Sequence, residues 1–429
     1  MRAWIEILIH LFQVSLDEVE IVNQHVETSL ELKIERLGHR GDGIAPGPVF
    51  VPYALPGETV LAEVAGERGR LIALQEPSPD RIDPFCPYFS HCGGCAIQHL
   101  SLSTYQAWKR DLVVEALRQA GIEAPVEPLV DAHGRGRRRA TLHARKGKVG
   151  FAEARSHAIV ELDACPILVP ELNRGLEAAR ALEKQLRGLG KPLDLVLTAT
   201  ITGLDCDIRG AGRIDDKMRL RLGDLAQQFD LARLSNHGDV VIERRAPVVR
   251  FGAVEVSPPP GAFLQATAEA DIALTSLVRE GLSGAKRIAD LFSGCGTFAL
   301  ALADAMHVQA FDSDKPAIGA LDRAARRAQG LKPVSATVRD LFHRPLLAEE
   351  LKPFDAVVFD PPRAGAEAQA KRLAAAKLRR IVGVSCNPTT FARDAALLIA
   401  GGYRLAKVTP VDQFRHSGHV ELVGVFERR

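Results

Sequence analysis

The C-terminal part of the sequence, from Lys286 onward, alternates between short apolar runs and alanine-rich amphipathic segments. The apolar runs are KRIADLF, HVQAFD, VSATVRD, FDAVVFD and RRIVGVSC. Strands that alternate with helices in this way form a parallel sheet covered on both faces, with the ligand site at the carboxyl ends of the strands. The final pair of runs, YRLAKVTPVDQF and HVELVGVFERR, is too close for a helical crossover and therefore predicts an antiparallel hairpin.

The N-terminal part of the chain has a different pattern. Over residues 29–80, apolar and polar positions alternate in short runs that glycine and proline turns separate. This pattern is typical of a small closed β-barrel, and Gly41, Gly43 and Gly47 would supply the sharp turn between its first strands. An ordinary β-domain without a ligand is the alternative interpretation.

The middle of the chain mixes helices, strands and one strongly basic segment. We predict a helix from Leu102 to Ala120 and a further helix from Val169 to Leu189. The basic segment, 133–148, contains seven lysine or arginine residues and no acidic residue. We therefore expect four regions, namely an N-terminal extension at 1–28, a β-barrel domain at 29–84, a central α+β domain at 85–260 and an α/β domain at 261–429.

An apolar stretch near the N-terminus, from Trp4 to Val14, bears on localisation. It is shorter than the ~20 residues that span a bilayer, and it lacks the cleavage site and basic region of a signal peptide. We therefore expect a cytoplasmic protein without a membrane anchor. Residues 1–28 are either an artefact of the start site or a loosely held extension, and we assign them no function.

A glycine-rich segment, DLFSGCGTFAL at 290–300, follows the first strand of the α/β region. Gly294 and Gly296 allow a tight turn close to a ligand, and Asp312 ends the second strand, where a carboxylate can accept both ribose hydroxyls of a nucleoside. Asp340, at the end of the third strand, is placed to reach an adenine amine. Because the segment lacks the third glycine of the dinucleotide fingerprint, S-adenosyl-L-methionine (SAM) is favoured over NAD.

Two further motifs lie at the ends of the fourth and fifth strands, FDPPRAG at 359–365 and VSCNP at 384–388. Cys386 is therefore expected in a turn beside the cofactor, where a thiolate can act as a nucleophile. A buried structural cysteine is the alternative. The DPP turn also resembles the turn with which amino-methyltransferases hold an exocyclic amine, but such an enzyme needs no cysteine nucleophile.

Three of the seven cysteines lie within ten residues, Cys86, Cys92 and Cys95. With Cys165 they make four thiolates whose spacing suits a [4Fe–4S] cluster. Zinc is the alternative, because sets of four cysteines commonly bind it, but the second C-x2-C pair of such sites is missing.

These motifs together resemble the RNA 5-methyluridine methyltransferase family over about residues 30–429. The resemblance rests on the DLFSGCGTF loop, the DPPR turn, the SCNP motif, the FLQAT segment at 263–267 and the HVE tripeptide near the end. It implies that Cys386 is the nucleophile and Glu421 the general base. It also implies a set of cofactor-binding residues: Gln265, Phe292, Thr297, Asp312, Asp340 and Asp360.

The resemblance implies a fold and partners as well. We expect an α/β fold in which a Rossmann-like class I methyltransferase domain follows an N-terminal barrel of the TRAM or OB-like type and a central α+β domain with an iron–sulfur cluster. Family members with this cysteine set carry such a cluster, which favours [4Fe–4S] over zinc. The expected partner is RNA, ribosomal rather than transfer RNA, and the protein is expected to be a monomer. Thr267 and Thr297 stand where the family commonly has asparagine, which weakens the expectation for cofactor contacts there.

Methylation of uridine at C5 explains why such residues are needed. C5 is too weak a nucleophile to take a methyl group directly, so a thiolate must first add to C6. A carboxylate must then remove the C5 proton before the cysteine can be eliminated, and this role is implied for Glu421. Asp360 would hold either the uracil edge or the SAM amine, and both assignments stay open.

RNA binding is expected from the barrel and from the basic segment. Arg135, Arg137, Arg138 and Arg139 are expected to contact phosphate, the alternative being a solvated surface turn. The target uridine would flip out of structured RNA into the pocket.

Two other classes of protein fit the sequence less well. A radical-SAM methylthiotransferase has a C-x3-C-x2-C motif and needs no Rossmann-like half, and a non-catalytic RNA-binding protein leaves the nucleophile, base and cofactor loop unexplained.

Overall fold

The computed structural model describes residues 28–189 and 191–428. They divide into two compact units, of which the first comprises 28–36 with 43–78 and the second comprises 37–42 with 79–428. The N-terminal extension, for which we predicted either a start-site artefact or a loosely held segment, lies outside the described residues except for Thr28. Within the described part of the chain, every helix is too short or too polar to span a bilayer.

The first unit is built on a six-stranded sheet. Across the sheet the order is β1 (Thr28–Lys33), β5 (Thr59–Ala65), β6 (Arg68–Glu76), β4 (Val49–Val51), β3 (Gly43–Ala45) and β2 (Arg36–Leu37). Its small apolar core includes Ile34, Val51, Val60 and Ala62. The turn between β3 and β4 requires glycine, because Gly47 has a φ of 100°, which other residues rarely adopt.

The second unit contains a seven-stranded sheet from the central region. The order is β10 (Ile159–Glu161), β9 (Lys148–Ala152), β8 (Arg139–Arg145), β11 (Leu193–Thr200), β12 (Gly203–Arg209), β13 (Leu231–Asn236) and β14 (Asp239–Glu243). The helices of this region are α1 (Leu102–Gln119), α2 (Pro170–Leu186), which continues as a 3-10 turn (Arg187–Leu189), and α3 (Asp216–Gln228). Both predicted helices are confirmed, and the apolar stripe of α2 packs Leu172, Leu176 and Leu182 into the core beneath the sheet.

The second unit also contains an eight-stranded sheet. The order is β19 (Val334–Val338), β18 (His307–Asp312), β17 (Arg287–Leu291), β20 (Ala356–Phe359), β21 (Arg380–Ser385), β23 (Glu421–Arg428), β22 (Tyr403–Asp412) and β7 (Val130–Asp131). The first five of these strands are parallel, as predicted. The predicted hairpin of β22 and β23 is also confirmed as antiparallel.

Helices cover this sheet, and a short hairpin precedes it. The helices are α4 (Ala268–Gly281), α5 (Thr297–Leu302), α6 (Lys315–Arg327), α7 (Ala348–Leu351), α8 (Glu367–Ala375) and α9 (Pro388–Ala400). The hairpin consists of β15 (Val249–Phe251) and β16 (Val254–Val256). Two apolar clusters, which both include residues of the sheet, form the core of this region, so its central strands β17, β20 and β21 are buried on both faces, as is typical of parallel sheets.

Candidate active site

The glycine loop, residues 292–296, follows β17 at the point where the strand order reverses, because β18 and β20 lie on either side of β17. Ligands of open parallel sheets bind in the crevice at such a point. Phe292, Gly294 and Gly296 all have left-handed backbone, with φ of 63°, 52° and 96°. A Cβ at Gly296 would lie 2.9 Å from Leu321, whereas no described atom lies within 4 Å of a Cβ at Gly294. The loop is therefore packed on one side and open on the other.

Asp312 holds this loop from the end of the neighbouring strand. Its Oδ2 accepts a hydrogen bond from Gly294 N at 2.9 Å, and its Oδ1 accepts one from Asp314 N at 2.8 Å. Thr297 follows the loop directly as the first residue of α5. The structure thus brings three of the predicted cofactor residues, Phe292, Thr297 and Asp312, around one loop, where a nucleoside could bind.

Asp340 lies in an exposed turn two residues after β19. Its carboxylate accepts hydrogen bonds from Phe342 N at 3.0 Å and His343 N at 3.1 Å and contacts His343 Nδ1 at 2.7 Å. The bonds from His343, followed by that from Phe342, hold the pKa of Asp340 below its usual value. The Phe342 ring centroid is 5.4 Å from that of Phe292. The turn therefore places an aromatic face and an anionic side chain beside the glycine loop.

Cys386, Glu421 and Asp360 lie at one edge of the sheet. Cys386 directly follows β21, Glu421 begins β23, and Asp360 directly follows β20. Because β21 pairs with both β20 and β23, the three residues come from adjacent strands. The sequence predicted each of them separately, and the structure brings them together.

These three side chains influence one another electrostatically. Burial, followed by the charges of Glu421 and Asp360, raises the pKa of the Cys386 thiol to about 11, and the Arg363 charge opposes this rise. Burial raises the pKa of Asp360, and burial together with the Asp360 charge raises the pKa of Glu421. Two buried carboxyls that interact this strongly titrate as a pair. The pair therefore holds its last proton up to a higher pH than an exposed pair of carboxyls would.

Two glutamines connect the carboxyls. Gln413 Nε2 donates to Glu421 Oε2 at 2.8 Å and to Gln265 Oε1 at 2.6 Å. Gln265 Nε2 in turn donates to Asp360 Oδ2 at 3.3 Å. The Gln413 amide oxygen accepts from Ala266 N at 2.6 Å. Gln265 was predicted for the cofactor, whereas Gln413 was not identified, because a single glutamine after a strand matches no motif.

Arg363, the arginine of the DPPR turn, contributes a positive charge to this site. Its Nη2 contacts the His419 ring at 2.7 Å, and its backbone carbonyl accepts from Asn387 Nδ2 and Thr390 Oγ1, both at 3.2 Å. Burial, followed by the Arg363 charge, lowers the pKa of His419 to about 4, so this imidazole is neutral at pH 7. The DPPR turn and the turn that carries Cys386 are therefore bonded to each other.

Thr267 has a structural role at the start of α4. Its hydroxyl accepts from Ala270 N at 3.0 Å, which caps the N-terminus of α4, and donates to Ala132 O at 2.6 Å. Threonine is a favoured residue at this position of a helix. The side chain is fully buried.

The prediction that Arg138 contacts phosphate is wrong. The side chain is buried, its Nη2 lies 2.6 Å from Asp271 Oδ2, and its Nε donates to Gln265 O at 3.1 Å. Its partner Asp271 comes from α4 and is 133 residues away in sequence, so the basic segment itself gave no sign of the pair. Arg137 is also largely covered and lies over the Phe414 ring, whereas Arg135 remains exposed.

The four predicted cluster ligands line one cavity of about 260 Å³: Cys86, Cys92, Cys95 and Cys165. The rest of its wall is mainly apolar and aromatic. Burial raises the pKa of Cys95 to about 12 and that of Cys165 to about 11. Among residues 28–189 and 191–428, however, no three or more His, Cys, Asp or Glu side chains are arranged to hold a metal ion.

Several known proteins are similar to this chain. A family model described as tRNA (Uracil-5-)-methyltransferase matches residues 336–429. An uncharacterized RNA methyltransferase of Brucella suis is 47% identical over 405 residues, which cover 93% of this chain and 98% of that protein. The 23S rRNA (uracil(1939)-C(5))-methyltransferase RlmD of Chromohalobacter salexigens is 33% identical over 419 residues, with 91% and 87% covered.

One solved structure is similar over nearly the same length. It is the tRNA (uracil-54, C5)-methyltransferase of Pyrococcus abyssi in complex with S-adenosyl-L-homocysteine. The TM-score is 0.71 at 27% sequence identity, and the match covers 92% of this chain and 99% of that one. The similarity therefore includes the α/β sheet and most of the regions that precede it.

Proposed function

This chain belongs to the RNA (uracil-5-)-methyltransferase family, and on that premise we propose that it methylates C5 of a uridine in 23S rRNA through a covalent bond between Cys386 and C6. It is a SAM-dependent enzyme with a class I methyltransferase fold. The observation that carries the covalent route is the convergence of Cys386, Glu421 and Asp360 at adjacent strand ends.

In this mechanism Cys386 acts first. Its thiol loses its proton to solvent, and the sulfur adds to C6 of the uracil, so that electrons move towards C5 and O4 and C5 becomes nucleophilic. SAM, when bound, supplies the methyl group on a sulfonium centre that C5 can attack. The Glu421 carboxylate then takes the proton from C5, the double bond between C5 and C6 forms again, and the Cys386 thiolate leaves.

The surrounding residues support these two roles. The Arg363 charge favours the Cys386 thiolate against the effect of burial and of the two carboxyls. The bond from Gln413 orients the Glu421 carboxylate. Asp360 accepts from Gln265 and lies close enough to Glu421 to raise its pKa, so we propose that Asp360 holds the edge of the uracil beside the base.

Ribosomal RNA is favoured as the substrate class. The relative that acts on 23S rRNA is 33% identical to this chain, whereas the solved tRNA enzyme is 27% identical.

We expect the purified protein to transfer labelled methyl from SAM to 23S rRNA and to leave tRNA unlabelled, with the label recovered as 5-methyluridine. The Cys386→Ala variant is the control for contaminating activity. Label found only in tRNA would contradict the substrate, and label on an exocyclic amine would contradict the reaction.

Replacement of Asp360 by asparagine should change the pH dependence of the reaction. Glu421 acts as a base only when ionised, and its pKa is raised by burial and by the Asp360 charge, so its activity is lost at a higher pH than an ordinary glutamate would allow. Without the Asp360 charge the pKa of Glu421 falls, and the acidic limb of the profile moves to lower pH. The measurement is the single-turnover rate of 5-methyluridine formation against pH.

The control for this experiment is Asp304→Asn, which removes an exposed carboxylate that pairs with Arg279. Its profile should match the wild type. If the acidic limb of Asp360→Asn coincides with that of the wild type while its rate falls, then Asp360 does not act on the charge of Glu421.

We propose that Cys86, Cys92, Cys95 and Cys165 hold a [4Fe–4S] cluster. Their shared cavity with apolar and aromatic walls supports this proposal. The ligands of a four-iron cluster bind four different iron atoms and so stand farther apart than the ligands of one zinc ion. The missing second C-x2-C pair of a typical zinc site also favours a cluster over zinc.

We also propose that the first unit is a TRAM-like barrel that binds RNA. The two edges of its sheet are β1 and β2, and only Ile34 and Glu35 separate these strands in sequence. Ile34 N donates to Glu58 O, next to β5, and Glu35 N donates to Ile44 O, in β3, both at 2.9 Å. The bend between β1 and β2 thus bonds to both sides of the sheet, which supports closure into a barrel.

A further inference from the structure

The loop between β22 and β23, residues 413–420, is called the hairpin loop here. It begins with Gln413, which bonds to Glu421, and it ends immediately before Glu421. A loop of this length that is held only by its own bonds would be among the more mobile parts of a domain. The position of Glu421 therefore depends on what fixes the hairpin loop.

A buried lysine from α1 fixes it. The Lys109 side chain has no exposed surface, and its Nζ lies 3.0 Å from Ser417 O and 3.4 Å from Phe414 O and also contacts His419 O. The same ammonium pairs with Asp412 Oδ1 at 3.0 Å. Lysine is almost never fully buried unless it is paired. Here the charge is surrounded by carbonyl oxygens of the hairpin loop and by the carboxylate that precedes the loop.

Tyr105, one helical turn before Lys109, holds the same loop. Its hydroxyl donates to Asp412 Oδ2 at 2.6 Å and accepts from His416 N at 3.0 Å. His416 has left-handed backbone with a φ of 63°, which costs free energy in a non-glycine residue and persists only where other contacts impose it. One face of α1 thus imposes the conformation of the hairpin loop.

We propose that Lys109 is a positioning residue for Glu421. It does not touch the reacting atoms. By binding the carbonyl oxygens of the hairpin loop, it fixes Gln413 and Glu421 relative to the uracil, and so it acts on the removal of the C5 proton rather than on the attack by Cys386. This inference rests on the proposed role of Glu421 as the base.

The test uses Lys109→Met in the full-length protein with 23S rRNA as the probe. A misplaced base should slow only the step in which it acts, and a displacement of about 1 Å can lower a rate about 100-fold. We expect kcat to fall by about that factor, KM for RNA to change little, and the methylated Cys386 adduct to accumulate on denaturing gels. Lys109→Arg, which keeps the charge and its donors, should recover part of kcat.

Arg233→Met is the matched control. Arg233 is another buried basic residue and pairs with Asp205 at 2.6 Å in the seven-stranded sheet. It should lower the melting temperature without accumulation of the adduct. If Lys109→Met behaves like Arg233→Met, with less stable protein and no adduct, Lys109 is merely structural and the proposal is wrong.

A double variant keeps the test valid if Lys109→Met alone fails to fold. Lys109→Met leaves the Asp412 charge buried and unpaired, which is strongly destabilising, whereas Lys109→Met with Asp412→Asn leaves no unpaired charge. The adduct should still accumulate in the double variant, and its absence would overturn the proposal. Glu421→Gln is run in parallel. If it traps adduct and both Lys109 variants do not, only the positioning role fails, but if it traps none, the proposed role of Glu421 fails first.

Discussion

Glu421→Gln is expected to convert the enzyme into a covalent trap for its RNA. Cys386 can still add to C6 and the methyl group can still be transferred, because neither step needs the Glu421 carboxylate. The C5 proton then has no acceptor, and turnover should fall about 10³-fold, within the range for loss of a general base. Methylated RNA should migrate with the protein as a slow band on a denaturing gel, and mass spectrometry should place the bond at Cys386.

Two variants control this experiment. Glu427→Gln changes a glutamate in the same strand that pairs with Arg380 and Arg404, and it should turn over like the wild type. Cys386→Ala should bind RNA without methylating it and without forming any adduct. A trap formed by Cys386→Ala would mean that another thiol makes the bond. Normal turnover by Glu421→Gln would remove Glu421 from the role of base.

The parts of this molecule that were predictable from sequence are those with local patterns. Apolar runs of strand length between amphipathic helices gave the parallel sheet, and the short spacing of the last two runs gave the hairpin of β22 and β23. Each site residue at a strand end, such as Asp312 or Cys386, follows from the same pattern, because parallel strands place their carboxyl ends at one edge. Local pattern and topology therefore agree in the α/β region.

The residues that sequence reasoning missed act through long-range contacts. Lys109 and His419, whose carbonyl oxygen it contacts, are 310 residues apart. A lysine in an amphipathic helix is normally expected to have a solvated side chain. Gln413 and Gln265 are 148 residues apart. Arg138 was assigned to RNA because it lies in a basic run, whereas its partner Asp271 belongs to α4. Neither periodicity nor a motif predicts which distant segment will cover a given side chain.

The edge strand β7 of the eight-stranded sheet was also not predictable from the sequence. The two-residue strand β7 pairs in parallel with Val411 and Asp412 at the end of β22, and Ala132 N, which follows it, donates to Asp412 O at 3.1 Å. A strand this short has no detectable alternation. It nevertheless connects the segment that leads into the basic run with Asp412, the residue that pairs with Lys109. The surroundings of the proposed base, Glu421, therefore include parts of the central region.

Replacement of Cys165 should have the largest effect on the central region. We expect the anaerobically purified protein to be brown, with about four irons per chain, and Cys165→Ala to lose colour and iron as fully as Cys92→Ala. Although Cys165 is 70 residues beyond Cys95 in sequence, it lines the same cavity as the other three cysteines, so its loss removes one iron ligand just as theirs does.

Cys206→Ala is the matched control, because Cys206 is fully buried in β12 and does not line that cavity. It should keep the full iron content. A colourless protein with one zinc per chain would contradict the cluster, and a Cys165→Ala protein that keeps four irons would remove Cys165 from the set of ligands.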